Sequence, residues 1–202
     1  MKKSIQEEIQ DQNKRGVFLV LTGPTGSGKD IVIEKLQEKL PNSIKITTIT
    51  TRRMRDGESE AKPYHFISKE EFEAKIANHE FFEWVEFRGH LYGTPKSQIE
   101  IAINQDFDAI LKIESKGVKN IKEKIKKMTD RSVFVFLATP HVNTLEERVK
   151  EDRERWNRDI AVWEIEQYEI CDYLVLNEDG KLHETIEKIK GIIETKRAEI
   201  IR

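Results

Sequence analysis

Val17-Phe18-Leu19-Val20-Leu21 is an unbroken apolar run that stops at a glycine-rich loop. Such a run predicts a strand buried on both faces of a parallel sheet. After the loop, Ile31, Ile33, Leu36 and Leu40 recur mostly at helical spacing until Pro41-Asn42 closes the segment. Ser43 to Thr50 alternates as a second strand. The stretch TTRRMRDGESEAKP that follows is too polar to bury and too long for a simple turn, the kind of loop that often holds ligands. Beyond Tyr64-His65-Phe66, the capping box Ser68-x-x-Glu71 opens a helix. A strand from Phe81 to Phe87 then turns through Arg88-Gly89-His90 into Leu91-Tyr92-Gly93, which predicts a small mixed β insertion. Thr94 and Pro95 are expected as N-cap and first-turn proline of a helix through about Asn104.

Ala109 to Ile113 and Val133 to Ala138 read as further buried strands, each followed by a helix-like segment. Asn143 to about Cys171 is helical and heavily charged, and Tyr173 to Leu176 is the last strand. Leu182, Ile186, Ile189 and Ile193 mark one face of a C-terminal amphipathic helix. The alternation of strand and helix predicts an α/β fold with a parallel central sheet.

Composition narrows the function classes. A chain of 202 residues makes one domain, or one core with a small inserted subdomain. Its 35 Lys+Arg against 37 Asp+Glu leave a net charge of -2, with no global excess to drive binding to nucleic acid or to an anionic membrane. Any cationic site must be local. Cys171 is the only cysteine, so an intrachain disulfide and a cysteine zinc site are excluded, and the five histidines show no ligand spacing. In the segment 1–15, Ile5 and Ile9 suit a short amphipathic helix or a frayed extension. Without an apolar stretch of about 18 residues, the expectation is a soluble cytoplasmic protein with no membrane partner.

Gly23-Pro24-Thr25-Gly26-Ser27-Gly28-Lys29-Asp30 has the GxxxxGK core of a phosphate-binding loop, between a buried strand and a helix as that motif requires. Glycines let successive backbone N–H groups turn inward around an anion, the helix N-terminus adds partial positive charge, and Lys29 reaches the β- and γ-phosphates. Asp30 stands where Ser or Thr would place a hydroxyl on Mg²⁺. A carboxylate about 5 Å from a phosphate charge is repelled by roughly 3 kcal/mol at an effective dielectric near 20. Either Asp30 ligates or water-bridges Mg²⁺, or it only complements the helix dipole.

Thr50-Thr51-Arg52-Arg53-Met54-Arg55-Asp56-Gly57-Glu58, with Tyr64-His65-Phe66, concentrates guanidinium and hydroxyl donors beyond the second strand. Two arginines and a tyrosine can hold a phosphate monoester. At this point the chain resembles guanylate kinase over roughly residues 17 to 180, through GPTGSGKD, TTRRMRDGE…YHF, FFEWVEFRGHLYGTP and DYLVLNED. The resemblance implies a P-loop NTPase fold with an inserted mixed-β subdomain for the nucleoside monophosphate and a helical lid, acting on ATP, Mg²⁺ and GMP. It divides the chain into an extension at 1–15 and a domain at 16–202. The core of that domain is 16–47, 106–142 and 172–202, with the acceptor subdomain at about 48–105 and the lid at about 143–171. It also implies that Arg52, Arg55, Tyr64 and Tyr92 grip the acceptor phosphate with Thr48 nearby, that Glu83 accepts from guanine N1 and N2, and that Thr94 donates to O6.

Besides Asp30 at the end of the phosphate loop, the chain departs from the family in two further places. The family's LDID-like strand is here Leu111-Lys112-Ile113-Glu114, so Glu114 keeps the charge near the metal while Lys112 inverts the base-reading one. Lys112 then pairs with Glu83, donates to a base oxygen, or snorkels out from the strand end. The lid is about six residues short, and KEDRERWNRD replaces its glycine-containing loop. Arg148 matches a lid arginine, and Arg158 with Arg153 or Arg155 are candidates for the others that neutralise the transferring phosphoryl group. The expected activity is transfer of the γ-phosphate of ATP to GMP or dGMP. An enzyme resembling ribose 1,5-bisphosphate phosphokinase and an inactive guanylate-kinase-like binding module are the alternatives.

Overall fold

The computed structural model describes residues 16–104, 107–150 and 157–199. The apolar run after Gly16 becomes β1 (Phe18–Thr22), buried along its whole length at the centre of a parallel sheet. On one side of β1 lies β8 (Ser132–Ala138) with β9 (Tyr173–Leu176) outside it. On the other lies β7 (Asp108–Lys112) with β2 (Ser43–Ile46) at the edge.

Side chains along a strand alternate between faces, so each face of β1 packs a different layer. Leu19 and Leu21 meet Val32, Ile33 and Leu36 of α1 (Lys29–Lys39) and Ile186, Ile189 and Ile193 of α7 (Leu182–Glu199). Phe18 and Val20 meet Ile99 and Ala102 of α3 (Lys96–Asn104) and Val118, Ile121 and Ile125 of α4 (Ser115–Met128). Helices therefore cover both faces, and the predicted α/β fold is what forms. The Asp108 carboxylate ties this core to the C-terminal helix, accepting from Arg197 Nη2 at 2.8 and 2.7 Å and from the Val17 N–H at 2.8 Å.

A second, four-stranded sheet runs β4 (His65–Phe66), β3 (Ile49–Thr50), β6 (His90–Pro95), β5 (Phe81–Phe87), with one parallel and two antiparallel pairings. Phe72 of α2 (Lys69–Ala77) stacks on Phe81 beneath it, and the Ser68/Glu71 capping box opens α2 as its sequence predicts. Two expectations change. The single strand read from Ser43 to Thr50 divides, because the Thr47 N–H turns out to Gln98 Oε1 at 2.9 Å, sending β2 to the central sheet and β3 to the small one. Thr94 and Pro95 end β6 instead of opening α3, since they stay paired with β5 opposite Glu83 and Phe81. The charged stretch after β8 forms α5 (Val142–Arg148), α6 (Arg158–Glu166) and a 3₁₀ turn at Tyr168–Ile170.

Candidate active site

The loop between β1 and α1 turns on positive φ at Gly23, Gly26 and Gly28. At Gly23 an added Cβ would lie 2.0 Å from the Leu137 carbonyl oxygen, which excludes any side chain; at Gly28 it would lie 2.5 Å from Asn177 Nδ2 on a backbone of positive φ, so a side chain there would displace Asn177 and strain the turn. Lys29 arches back over the loop and donates to the carbonyls of Gly23 and Pro24. Ser27 Oγ is buried and makes no hydrogen bond within the protein. The loop brings three glycines to a helix N-terminus, the setting in which backbone N–H groups can cradle a polyphosphate.

A cavity of 1210 Å³ opens from this loop and is walled by both sheets. Thr25, Gly26, Gly28, Lys29 and Asp30 line one end, and Arg52, Arg55, Tyr64 and Tyr92 line the other. Arg52 is buried, with its guanidinium in a fork to Glu58 at 2.9 and 2.8 Å and 5.5 Å from the centre of the Tyr64 ring. Burial alone would lower its pKa, but the Glu58 bonds outweigh that and raise it. Tyr64 packs edge-on to Tyr92, and burial pushes its hydroxyl up to about 12, so it stays a donor at neutral pH. One end of the cavity is a glycine-rich backbone loop and the other a set of cationic and hydroxyl side chains, an arrangement that can take two anions of unlike size.

Glu83, Thr94 and Thr48 are buried and do not line that cavity. Thr94 Oγ1 donates to Glu83 Oε1 at 2.9 Å, while Glu83 Oε2 is buried without a partner. Burial pushes Glu83 up to about 7, against the opposing pull of the Thr94 bond and the Lys124 charge.

A family model described as guanylate kinase matches residues 15–196. The chain belongs to the guanylate kinase family. It is 33% identical over 194 residues to the guanylate kinase of Thermotoga maritima, covering 93% of this chain and 91% of that one. It is 36% identical over 197 residues to the guanylate kinase of Onion yellows phytoplasma, covering 94% and 91%. A crystal structure of guanylate kinase from Anaplasma phagocytophilum superposes with a TM-score of 0.75 at 29% identity, covering 91% of this chain and 87% of that one.

Within this guanylate kinase family member, Lys112 neither pairs with Glu83 nor snorkels out from the strand end. Its side chain is only 6% exposed, and its Nζ donates to Asp30 Oδ1 at 2.8 Å and lies 4.4 Å from the Tyr64 ring centre. Glu83 is not its partner. The Asp30 charge, which the sequence assigned to Mg²⁺ or to the helix dipole, is thus met by Lys112, with Lys45 Nζ at 3.9 Å as a second cation. The Asp30 side chain keeps 59% of its surface exposed but is partly desolvated, which raises its pKa; the Lys112 charge and hydrogen bond and the Lys45 charge more than offset this, leaving it lowered. Lys112 is held above its ordinary range by Tyr64 and Asp30 in spite of its own burial.

Arg148 donates to the Gly26 carbonyl at 3.2 Å and the Asn177 carbonyl at 2.9 Å, so this predicted lid arginine does lie over the phosphate loop, clamped by Asp179 at 2.7 Å. Arg158 does not reach the cavity. It donates to Asn143 Oδ1 at 3.1 Å and lies 3.7 Å from Glu146 on α5. Arg153 and Arg155 lie outside the described residues. Three contributors escaped the sequence reading: Lys45, Asn177, whose Nδ2 donates to the Ser27 carbonyl at 2.9 Å, and Glu164. Glu164 of α6 is fully buried, and burial together with the Glu114 charge pushes it up to about 8, against Lys29, Arg88 and the Thr25 N–H. Asn177 sits in the quoted LVLNED run, and Glu164 breaks an otherwise apolar helix face, so both had a signal. Among the described residues no helix is long and apolar enough to cross a membrane.

Proposed function

We propose that this chain transfers the γ-phosphate of ATP to GMP or dGMP, giving ADP and GDP or dGDP. The observation that carries the choice of base is Glu83 Oε2, a buried carboxylate oxygen with no partner in the protein, beside the Thr94 hydroxyl. Guanine offers adjacent N1 and N2 donors to such an oxygen, and the Thr94 hydroxyl can turn to O6. Adenine has no N1–H. Gly23 to Asp30 hold the ATP phosphates with Lys29, and Arg148 lies over them. Arg52, Arg55, Tyr64 and Tyr92 hold the GMP phosphate, with Thr48 behind them. Arg158 joins the reaction only if it leaves Asn143.

An oxygen of the GMP phosphate bonds to the γ-phosphorus as the bond from that phosphorus to the β,γ-bridging oxygen breaks, and the electron pair leaves on ADP. Between fully ionised phosphates no proton need move, so no general base is required, and the protein contributes positioning and charge. Asp30 and Glu114 line the cavity beside the phosphate loop, and carboxylates suit Mg²⁺, an ion usually held by one or two of them together with substrate phosphates. Glu114 lines the cavity and is the carboxylate assigned to it. Asp30 reaches the ion only through its second oxygen or a water, since Oδ1 is taken by Lys112. When bound, Mg²⁺ neutralises phosphate charge.

An acceptor panel in a coupled ADP-release assay tests the reading. GMP and dGMP are phosphorylated, IMP, which lacks the 2-amino donor, is slower by about 10- to 150-fold for one hydrogen bond to a charged group, and AMP is not used. Equal use of AMP contradicts it.

A further inference from the structure

Lys112 lies at the C-terminal end of β7, in register with Leu21 just before the phosphate loop. From there its side chain lines the cavity, and its ammonium meets one residue from each of the two sets that border it. One is Asp30, in the first turn of the helix that follows the phosphate loop, and the other is Tyr64 of the acceptor set. Asp30 takes one of the three N–H donors, leaving donors for phosphate oxygens.

We propose that Lys112 is the cation between the donor and acceptor phosphates, contacting the phosphoryl group in transfer, and that Asp30 is the positioning residue that holds it there. The inference rests on the kinase reading. Neither pairing with Glu83 nor snorkelling fits, since Glu83 bonds to Thr94, Lys112 bonds to Asp30 and its side chain is 6% exposed. Service as a counterion for Asp30 alone is a poor account, because the Asp30 side chain is 59% exposed and water would screen its charge, whereas desolvating a lysine is costly. A buried cation aimed at the junction of two phosphate sites has its return in the transition state, where those phosphates approach each other.

The experiment compares wild type, Lys112→Met, Lys112→Arg and Asp30→Asn by steady-state kinetics and by calorimetric binding of ATP, GMP and a bisubstrate analogue joining adenosine and guanosine through five phosphates. For Lys112→Met the expected result is a fall in kcat of about 100-fold, with the KM values for ATP and GMP changed less than about threefold. The linked analogue should bind at least about tenfold more weakly while each separate nucleotide binds nearly as before. Lys112→Arg should recover part of the lost kcat, and Asp30→Asn should lower kcat by roughly three- to tenfold without changing KM. Thermal melting of each variant accompanies the kinetics, and loss of folding in Lys112→Met moves the test to Lys112→Arg and Asp30→Asn. Equal losses for ATP alone and for the linked analogue, or an unchanged kcat in an active Lys112→Met enzyme, overturn the inference while leaving the kinase reading intact. A folded wild type that transfers nothing to GMP removes both.

Discussion

Replacing Glu83 by Gln probes base recognition at its most exacting point. Glu83 Oε1 is occupied by the Thr94 hydroxyl at 2.9 Å and Oε2 has no protein partner, so the carboxylate has acceptor capacity for two guanine N–H groups. Each hydrogen bond to a charged group contributes about 1.5–3 kcal/mol, so losing two costs roughly 3–6 kcal/mol. At about 1.4 kcal/mol per decade, that is a 10²- to 10⁴-fold fall in kcat/KM for GMP. Burial holds Glu83 at about 7, so above that pH it accepts and below it the carboxyl is protonated and accepts poorly. In the coupled assay between pH 5.5 and 8.5, wild-type kcat/KM for GMP should be level above pH 7 and fall about tenfold per unit below it, because kcat/KM reports the free enzyme's groups. The GMP phosphate, with a second pKa near 6, contributes to the same fall, but it does so equally in Glu83→Gln, so the difference between the two profiles isolates Glu83. A variant within threefold of wild type, or parallel profiles, would refute the base assignment.

Three other substitutions separate the roles of the remaining charges. Glu114→Gln should raise the Mg²⁺ concentration needed for tight ATP binding by about tenfold, whereas Asp30→Asn, with Oδ1 already held by Lys112, should shift it less, as read by calorimetry across a Mg²⁺ series. Glu164 is raised from an unfolded value of 4.5 to about 8, so between those pH values the native state binds more protons and stability falls as pH rises. Glu164→Gln removes that loss, so its melting temperature should exceed wild type at pH 8.5 and match it near pH 5, measured by scanning fluorimetry without nucleotide. Asp108→Ala leaves Arg197 and the Val17 N–H unpaired beside the core and should cost about 3–5 kcal/mol in urea unfolding.

The fold was legible because its signals are local. Val17 to Leu21 is a strand in any context, the glycine framework from 23 to 28 sits in the left-handed region that glycine serves, and Ser68 and Glu71 cap each other within one turn. The misreadings arose where tertiary partners decided. Nothing in SIKITTIT marks the point where Gln98, 51 residues away, draws the Thr47 N–H out of the ladder. Thr94-Pro95 has the look of a helix start, and only pairing with β5 keeps it in a strand. The same holds for charge: Asp30 and Lys112 are 82 residues apart, and each reads as an anomaly until they are seen together. Local sequence supplied the correct anxiety about Asp30, a carboxylate facing phosphates, while the remedy lay on another strand.

The central claim is phosphoryl transfer from ATP to GMP, and phosphorus NMR of the reaction mixture tests it most directly. With equimolar ATP and GMP in excess Mg²⁺, the account predicts that the γ-resonance of ATP and the GMP resonance decline together as ADP and GDP appear, with little free phosphate. Accumulation of ADP and inorganic phosphate with GMP untouched, or a spectrum that does not change, would contradict it.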